Sequence, residues 1–97
     1  MQLHPISFED LRNEHALIKQ QMPNTIVLLH IGNCYETFDN DAETIAHDLK
    51  RPYIWQETDN GTLVRSLTLP ESKRDWVWKL CVRGHTVVTA TVREVQS

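Results

Sequence analysis

The stretch Ile26–Leu49, IVLLHIGNCYETFDNDAETIAHDL, decides the fold of this chain. With the preceding threonine, residues 25–31 form a β-branched and aliphatic run without polar alternation, which is typical of a central strand buried on both faces. Gly32 ends that strand, and we interpret the aromatic and acidic residues 33–38 as a turn. Residues 41–49 then repeat alanine, isoleucine and leucine at helical spacing. The stretch therefore predicts an interior strand, a turn and an amphipathic helix packed on the strand.

Two polar pairs predict where the first two helices begin. Ser7 and Asp10 have the spacing of a capping box, in which side chains satisfy the free amides of the first turn. They are predicted to open a helix that runs to about Gln20. Asn40 and Glu43 have the same spacing and are predicted to cap the second helix.

The second half of the chain predicts a hairpin, a helix and a strand. Residues 53–57 and 62–69 flank the tripeptide DNG at 59–61, and Asn-Gly supplies the positive φ angles of a tight turn. Ser72 with Asp75 is predicted to cap the third helix, residues 73–83, and residues 86–92, TVVTATV, are predicted to form the last strand. The predicted order is α-β-α-β-β-α-β, an α/β fold in which a mixed sheet is flanked by about three helices.

Length and composition predict one soluble domain. The 97 residues fit a single domain over residues 1–97, and 40% hydrophobic with 24% charged residues is ordinary for a globular protein. No run approaches ~18 consecutive apolar residues, and the N-terminus lacks a basic segment followed by an apolar one. We therefore expect a cytoplasmic location without a membrane partner, and reduced thiols at Cys34 and Cys81.

Catalytic and cofactor sites are not expected. The chain has three glycines and no Gly-x-x-x-x-Gly-Lys-Ser/Thr loop, so a nucleotide partner is not predicted. Two histidines and two cysteines offer zinc ligands, but paired structural cysteines are usually closer in sequence and these have apolar neighbours. A thiol nucleophile would also lack an evident third orienting group. We predict no catalytic residue, metal or cofactor. The candidate zinc ligands are His30, Cys34, Cys81 and His85; the other histidines, predicted at the surface, are His4, His15 and His47.

Residues 32–38, GNCYETF, resemble a motif of the N-terminal mismatch-recognition domain, domain I, of the MutS family of DNA mismatch repair proteins. In that family a strand ends in Gly and is followed by Asp-Phe-Tyr-Glu-x-Phe and a helix. Residues 70–84 are similar in outline to the family's Pro-x-His-x-x-x-x-Tyr-x-x-x-Leu-x-x-x-Gly, with Trp in place of Tyr. The resemblance covers about residues 8–94 and implies a stand-alone domain with the family's element order.

The resemblance also implies where DNA would be probed. The family's Phe stacks on the mispaired base and its Glu hydrogen-bonds that base; these positions are Cys34 and Glu36 here. Cysteine has no π-face, so a stacking contribution of ~1–3 kcal/mol per base is absent. We therefore expect weak binding that barely distinguishes mismatches. An alternative remains open, in which Tyr35 and Phe38 are core residues and Glu36 is a solvated turn residue.

The charge distribution leaves two function classes open. Residues 1–60 hold four basic and ten acidic residues, whereas residues 61–97 hold six basic and three acidic ones. The basic half predicts phosphate contacts, although the same charges also suit an ordinary solvated surface. Trp76 and Trp78 cannot share a helix face, so one of them is predicted in the core. For the other, with Trp55, the alternatives are packing, which is the default, an exposed aromatic patch for a partner, and stacking on single-stranded nucleic acid. The leading prediction is a non-enzymatic module that binds duplex or mismatched DNA, and the alternative is a protein-interaction or self-association module. The predicted phosphate contacts are Lys73, Arg74, Lys79 and Arg83.

Overall fold

Three helices and a mixed sheet make up the part of the chain that the computed structural model describes, which is residues 3–4, 7–72, 75–92 and 95–96. The α/β class and the predicted order of elements are confirmed. Within these ranges, no helix is both long enough and apolar enough to cross a membrane. The elements are β1 (Leu3–His4), α1 (Phe8–Gln21), β2 (Ile26–Ile31), β3 (Cys34–Phe38), α2 (Asp39–Leu49), β4 (Ile54–Glu57), β5 (Leu63–Pro70), α3 (Asp75–Val82), β6 (Val87–Thr91) and β7 (Val95–Gln96).

The main sheet has the strand order β4-β5-β3-β2-β6. β2 is an interior strand, since it pairs antiparallel with β3 and parallel with β6. Its residues Val27, Leu28 and Leu29 are fully buried, which confirms the prediction of a central strand covered on both faces. β1 and β7 form a separate antiparallel pair.

The segment Cys34–Phe38 is a strand, so its interpretation as a turn was wrong. The turn consists of Gly32 and Asn33 alone, and Gly32 takes the positive φ of 60° that this tight reversal needs. β3 then pairs with β2 on one side and β5 on the other. Tyr35, Thr37 and Phe38 favour a strand, but pairing on both sides is a tertiary property, because it depends on where β2 and β5 lie.

Two apolar layers pack on opposite faces of the sheet. On one face, Leu28 and Tyr35 contact α2 and α3 in a cluster that includes Trp76, which is buried, whereas Trp78 is 69% exposed. This confirms that one of these two tryptophans is in the core. On the other face, α1 covers a cluster with these buried members: Leu11, Val27, Leu29 and Phe38.

The capping prediction is confirmed for the first helix and wrong for the second, and the start predicted for the third helix falls on residues 73–74, outside the described residues. Ser7 Oγ accepts a hydrogen bond from the Asp10 amide at 3.1 Å, as predicted. Asn40 is not a cap, because α2 begins at Asp39 without a side-chain cap. Instead, Arg65 of β5 donates to Asn40 Oδ1 at 3.2 Å and forms an ion pair with Glu43. The two polar residues thus join α2 to the sheet.

The predicted hairpin between β4 and β5 is present, with a different turn. Asp59, Asn60 and Gly61 form a three-residue loop closed by a 2.8 Å bond from the Thr58 amide to the Thr62 carbonyl. In the loop Gly61 alone has a positive φ, of 86°. This is the geometry of a type I turn followed by a left-handed glycine, rather than a two-residue turn in which Asn and Gly both take positive φ.

Candidate nucleic-acid interface

Cys34 and Glu36 project from the same face of β3, because alternate side chains of a strand point the same way. They lie opposite Ile31 and Leu29 of β2, on the side of the sheet that α1 partly covers. Tyr35 points to the other side, where its ring contacts Trp76 with centroids 5.3 Å apart. Tyr35 and Phe38 are therefore core residues, and the two residues that the family resemblance singled out are adjacent on an accessible face.

Cys34 lies in a shallow hollow at the end of the sheet. The hollow is lined by residues 33–34 and 70–72, which come from the β2–β3 turn and the end of β5. The Glu71 amide donates to the Asn33 carbonyl at 3.0 Å and ties these two segments together. The Cys34 thiol is partly exposed and lies 3.4 Å from Asn33 Oδ1. A thiol offers no flat aromatic surface, so this position provides little area for stacking on a base.

Glu36 is a partly buried strand residue and not a solvated turn residue. Its Oε1 accepts a 2.8 Å hydrogen bond from Thr68 Oγ1, directly across the β3–β5 pairing. Burial raises the pKa of the Glu36 carboxyl, and the hydrogen bond from Thr68 offsets this only in part. The carboxyl therefore keeps hydrogen-bonding capacity that the described side chains do not use, and it gains a proton more readily than a solvated glutamate does.

The structure does not bring the predicted cations to the same face as Cys34 and Glu36. Lys79 and Arg83 belong to α3 and the residue after it, on the opposite face of the sheet. Lys79 Nζ lies 3.8 Å from Asp75 Oδ2, and Arg83 Nη1 lies 3.9 Å from Asp48 Oδ1. The other two predicted phosphate contacts fall outside the described residues: Lys73 and Arg74.

A buried polar cluster between α1, β2 and α2 was not predicted, and His15, expected at the surface, is part of it. Asp41 Oδ2 accepts hydrogen bonds from His15 Nε2 and the Val27 amide, each at 3.0 Å. Asp41 Oδ1 accepts from Lys19 Nζ, also at 3.0 Å. His15 Nε2 lies 3.3 Å from the hydroxyl of Thr37, which itself donates to the Val27 carbonyl. Both neighbours of Nε2 accept, so we assign the imidazole hydrogen to Nε2.

The cluster keeps Asp41 ionised in a buried place. Burial alone would raise its pKa, but the hydrogen bonds from His15, Val27 and Lys19 outweigh this effect and hold the pKa of Asp41 below its usual range. A signal was present in the sequence, since His15 and Lys19 follow Leu11 at intervals of four on one side of α1. The spacing places them toward the core, where a polar residue requires a partner.

The candidate zinc ligands do not come together. His85 Nε2 binds Asp48 Oδ2 at 2.6 Å, and Cys81 is exposed on α3. Over the described ranges, no three side chains of His, Cys, Asp or Glu are grouped in a way that suits a metal ion. The lack of a metal or cofactor stays a prediction.

Comparison with known proteins points to one family. A family model described as MutS domain I matches residues 11–96. A protein of Dehalococcoides mccartyi named DNA mismatch repair protein MutS is 32% identical over 78 residues, which are 79% of this chain and 9% of that protein. A protein of the same name from Methanothrix thermoacetophila is 30% identical over 84 residues, which are 84% of this chain and 10% of that protein. The chain thus corresponds to about a tenth of the length of these relatives.

Proposed function

Because the chain belongs to the MutS domain I family, we propose that it is a non-enzymatic, cytoplasmic DNA-binding module related to mismatch repair. The observation that carries the proposal is the family match together with the placement of Cys34 and Glu36 side by side on an accessible face of β3. The relatives are named as DNA mismatch repair proteins. Duplex DNA, with or without a mismatch, is the ligand that the family relationship supports best.

Binding by this chain is weak and nearly independent of mismatches. A wedge that enters a base step must offset the free energy of unstacking, and an aromatic ring does so by stacking on the base. Cys34 lacks this ring, so ~1–3 kcal/mol per base is missing from the complex with a mismatch. The neighbouring Glu36 carboxylate brings negative charge toward the phosphates, which lowers the affinity further.

Phosphate contacts supply the remaining affinity. Lys79 and Arg83 lie on the face of the sheet opposite to Cys34 and Glu36, each with an acidic side chain nearby. Their own side chains are more than half exposed, so a phosphate can compete for these cations. Lys73 and Arg74 precede them in the sequence and complete the proposed basic set. Each contact that neutralises a phosphate should contribute about 0.9 to the slope of log affinity against log salt concentration.

A salt titration of binding to mismatched duplex, matched duplex and single-stranded DNA tests the proposal. We expect binding that falls steeply with salt and differs little between the two duplexes. Lys79→Ala and Arg83→Ala should each reduce the slope by about one. The matched control is Lys50→Asn, an exposed cation at the end of α2 where asparagine tolerates the left-handed backbone. A clear mismatch preference at moderate salt contradicts the assigned effect of Cys34.

The second candidate function is a protein-interaction module without DNA binding. The acidic neighbours of Lys79 and Arg83 favour it, as does the exposure of two large aromatic side chains, Trp55 at 58% and Trp78 at 69%. If the wild-type chain does not bind any of the three DNA ligands at low salt, this second function replaces the first.

A further inference from the structure

The strand β4 forms one edge of the main sheet and carries exposed apolar side chains on both of its faces. Ile54 is 55% exposed and Trp55 is 58% exposed. Tyr53, the residue before the strand, lies on the Trp55 face, since the two rings contact each other with centroids 5.9 Å apart. The open edge is therefore lined by apolar and aromatic groups.

The hydrogen-bond pattern shows which backbone groups of β4 point away from the sheet. The bond from the Thr58 amide to the Thr62 carbonyl closes the hairpin, so the pairs of β4 and β5 alternate from that point. Gln56 and Ile54 fall on the bonded positions that face β5. Trp55 and Glu57 fall on the positions whose N–H and C=O face outward.

The neighbouring strand pair supports this assignment independently. The Glu71 amide bonds to the Asn33 carbonyl, which continues the β3–β5 pairing by one step and makes the odd-numbered residues of β5 face β3. The even-numbered residues of β5, including Val64 and Ser66, are then left to bond with β4.

This edge lacks the features that usually prevent strand addition. Natural edge strands often carry a lysine, a proline or a bulge on the open side. Pro52 precedes β4, but it is even-numbered, like Ile54 and Gln56, so its backbone faces β5 and not the open side. The outward positions at Tyr53, Trp55 and Glu57 all carry an N–H and a C=O.

We propose that the segment 51–57, which is β4 and the three residues before it, pairs antiparallel with the same segment of a second copy of this chain, about a two-fold axis through Ile54. In this register Tyr53 lies opposite Trp55 of the second copy, and Arg51 lies opposite Glu57 of the second copy. The outward backbone groups of Tyr53 and Trp55 then bond across the axis, and the aromatic side chains pack as cross-strand pairs. The main sheet becomes continuous through both copies.

Charge complementarity selects a second copy as the partner. Arg51 lies three residues before Ile54, and Glu57, the last residue of β4, lies three residues after it; a two-fold axis through Ile54 therefore brings their opposite charges together twice. Among the described residues, neither side chain has an ion-pair partner within its own chain. Both side chains are available for the interface. A strand of unrelated sequence would not place opposite charges against Arg51 and Glu57.

The inference goes beyond the proposed function, because it involves neither DNA nor the residues Cys34 and Glu36. The contact is a short strand with few large side chains, so its area falls at the low end of specific interfaces and the dimer is weak. Dimerisation should therefore depend on protein concentration and not on added DNA.

Sedimentation equilibrium over a wide concentration range, without DNA, tests the proposal with three charge variants. The wild type should shift from monomer to dimer. Arg51→Glu and Glu57→Arg each place like charges opposite one another, and each should raise the midpoint concentration at least ~10-fold. The double variant R51E/E57R restores opposite charges and should return the midpoint toward the wild-type value. Circular dichroism confirms that each variant is folded.

Trp78→Lys is the matched control, since Trp78 is the most exposed tryptophan and lies on α3, away from β4. It should leave the midpoint unchanged. The proposal is overturned by a wild type that stays monomeric at every concentration, by single reversals that leave the midpoint unchanged, or by a double variant that associates no better than the single ones. An effect of Trp78→Lys equal to the effect of Arg51→Glu also overturns it.

Discussion

Asp41 and Glu36 are two carboxyl groups of one strand–helix unit, β3 and α2, and burial disfavours the charged form of both, yet their pKa values move in opposite directions. Asp41 receives hydrogen bonds from an imidazole, a backbone amide and an ammonium group. Glu36 receives one, from the hydroxyl of Thr68. The number and charge of the hydrogen-bond donors, and not burial, decide whether the pKa of each carboxyl is raised or lowered.

The comparison separates a structural carboxylate from one that is free to act on a ligand. Described donors reach both oxygens of Asp41, and their three hydrogen bonds use most of the capacity of this carboxylate to accept. Glu36 has an oxygen without a donor among the described residues, next to the accessible position Cys34. A partly buried polar group that its own protein leaves unsatisfied is a candidate functional group.

The largest expected effect is that of Asp41→Ala on stability. The substitution leaves the His15 ring and the Val27 amide without their acceptor in a buried place, and it removes one of the acceptors of the partly exposed Lys19 ammonium. Removing one member of such a buried pair typically costs about 3–5 kcal/mol. We expect a loss of this size in the free energy of unfolding, measured by urea denaturation.

Asp39→Asn is the control for this prediction, because Asp39 also lies in the first turn of α2 but forms an exposed ion pair with Arg12 at 3.4 Å. Asparagine accepts the positive φ of 56° found there, so the cost should stay below about 1 kcal/mol. Equal losses for the two variants would remove the distinction between a structural and an accessible carboxylate.

The second prediction concerns the accessible end of β3. Cys34→Phe places an aromatic ring in the hollow beside Glu36, where it can enter an easily unstacked step. We expect a mismatch preference of up to ~1–3 kcal/mol, measured as the ratio of the affinities for mismatched and matched duplexes. The melting temperature should change little, because Cys34 is partly exposed.

Cys81→Phe is the matched control, since Cys81 is exposed on α3, on the opposite face of the sheet. It should give no mismatch preference. A loss of about 1–3 kcal/mol of stability in Cys34→Phe without new binding would make Cys34 a packing residue. It would contradict the assignment of Cys34 to the position at which the family's Phe stacks on the mispaired base.

The smallest expected effect is the pH dependence that Glu36 contributes. Its folded-state pKa is raised, so folding favours the protonated form, and its contribution to stability is greatest below the unfolded pKa of about 4.3. That contribution is lost as the pH rises through the folded value. Glu36→Gln should therefore increase the free energy of unfolding slightly at neutral pH, and the free energy of unfolding should fall less above about pH 4 than it does in the wild type.

Glu14→Gln, on the exposed surface of α1, serves as the control for the pH series and should behave as the wild type does. In the wild type, the contribution of Asp41 to stability changes with pH in the opposite direction to that of Glu36. The pKa of Asp41 is lowered, so its contribution is present above the unfolded value of about 3.9 and is lost as the pH falls through the folded value. A free energy of unfolding that falls more steeply with rising pH in Glu36→Gln than in the wild type would contradict the raised pKa of Glu36.

Local patterns were sufficient for most elements of the fold. The run of aliphatic residues in β2 identified an interior strand, and the helical spacing of α2 identified the helix packed on it. Ser7 was correctly identified as a cap, since a cap depends on neighbours three residues away. Asn40 was wrongly identified as a cap. Its side chain binds Arg65 of β5 instead, and a contact between residues so far apart in sequence leaves no local signal.

The candidate site was predictable only in part. The resemblance of residues 32–38 to a family motif selected Cys34 and Glu36, and the alternation of β3 places them together. The predicted basic residues do not share their face, since Lys79 and Arg83 lie on the opposite side of the sheet. Lys79 and Arg83 are far from Cys34 and Glu36 in sequence, so the sequence alone does not show whether these side chains share a face of the sheet.

The sequence by itself determined the family, the three helices and the strands β2, β4, β5 and β6, because hydrophobic period and motif spacing are local properties of the chain. Only the tertiary structure decided that residues 34–38 form a strand, that Asp41 is ionised in the core and that Glu36 keeps a raised pKa. These features depend on which distant groups approach each backbone or carboxyl, and a hydrogen bond acts only over about 3 Å.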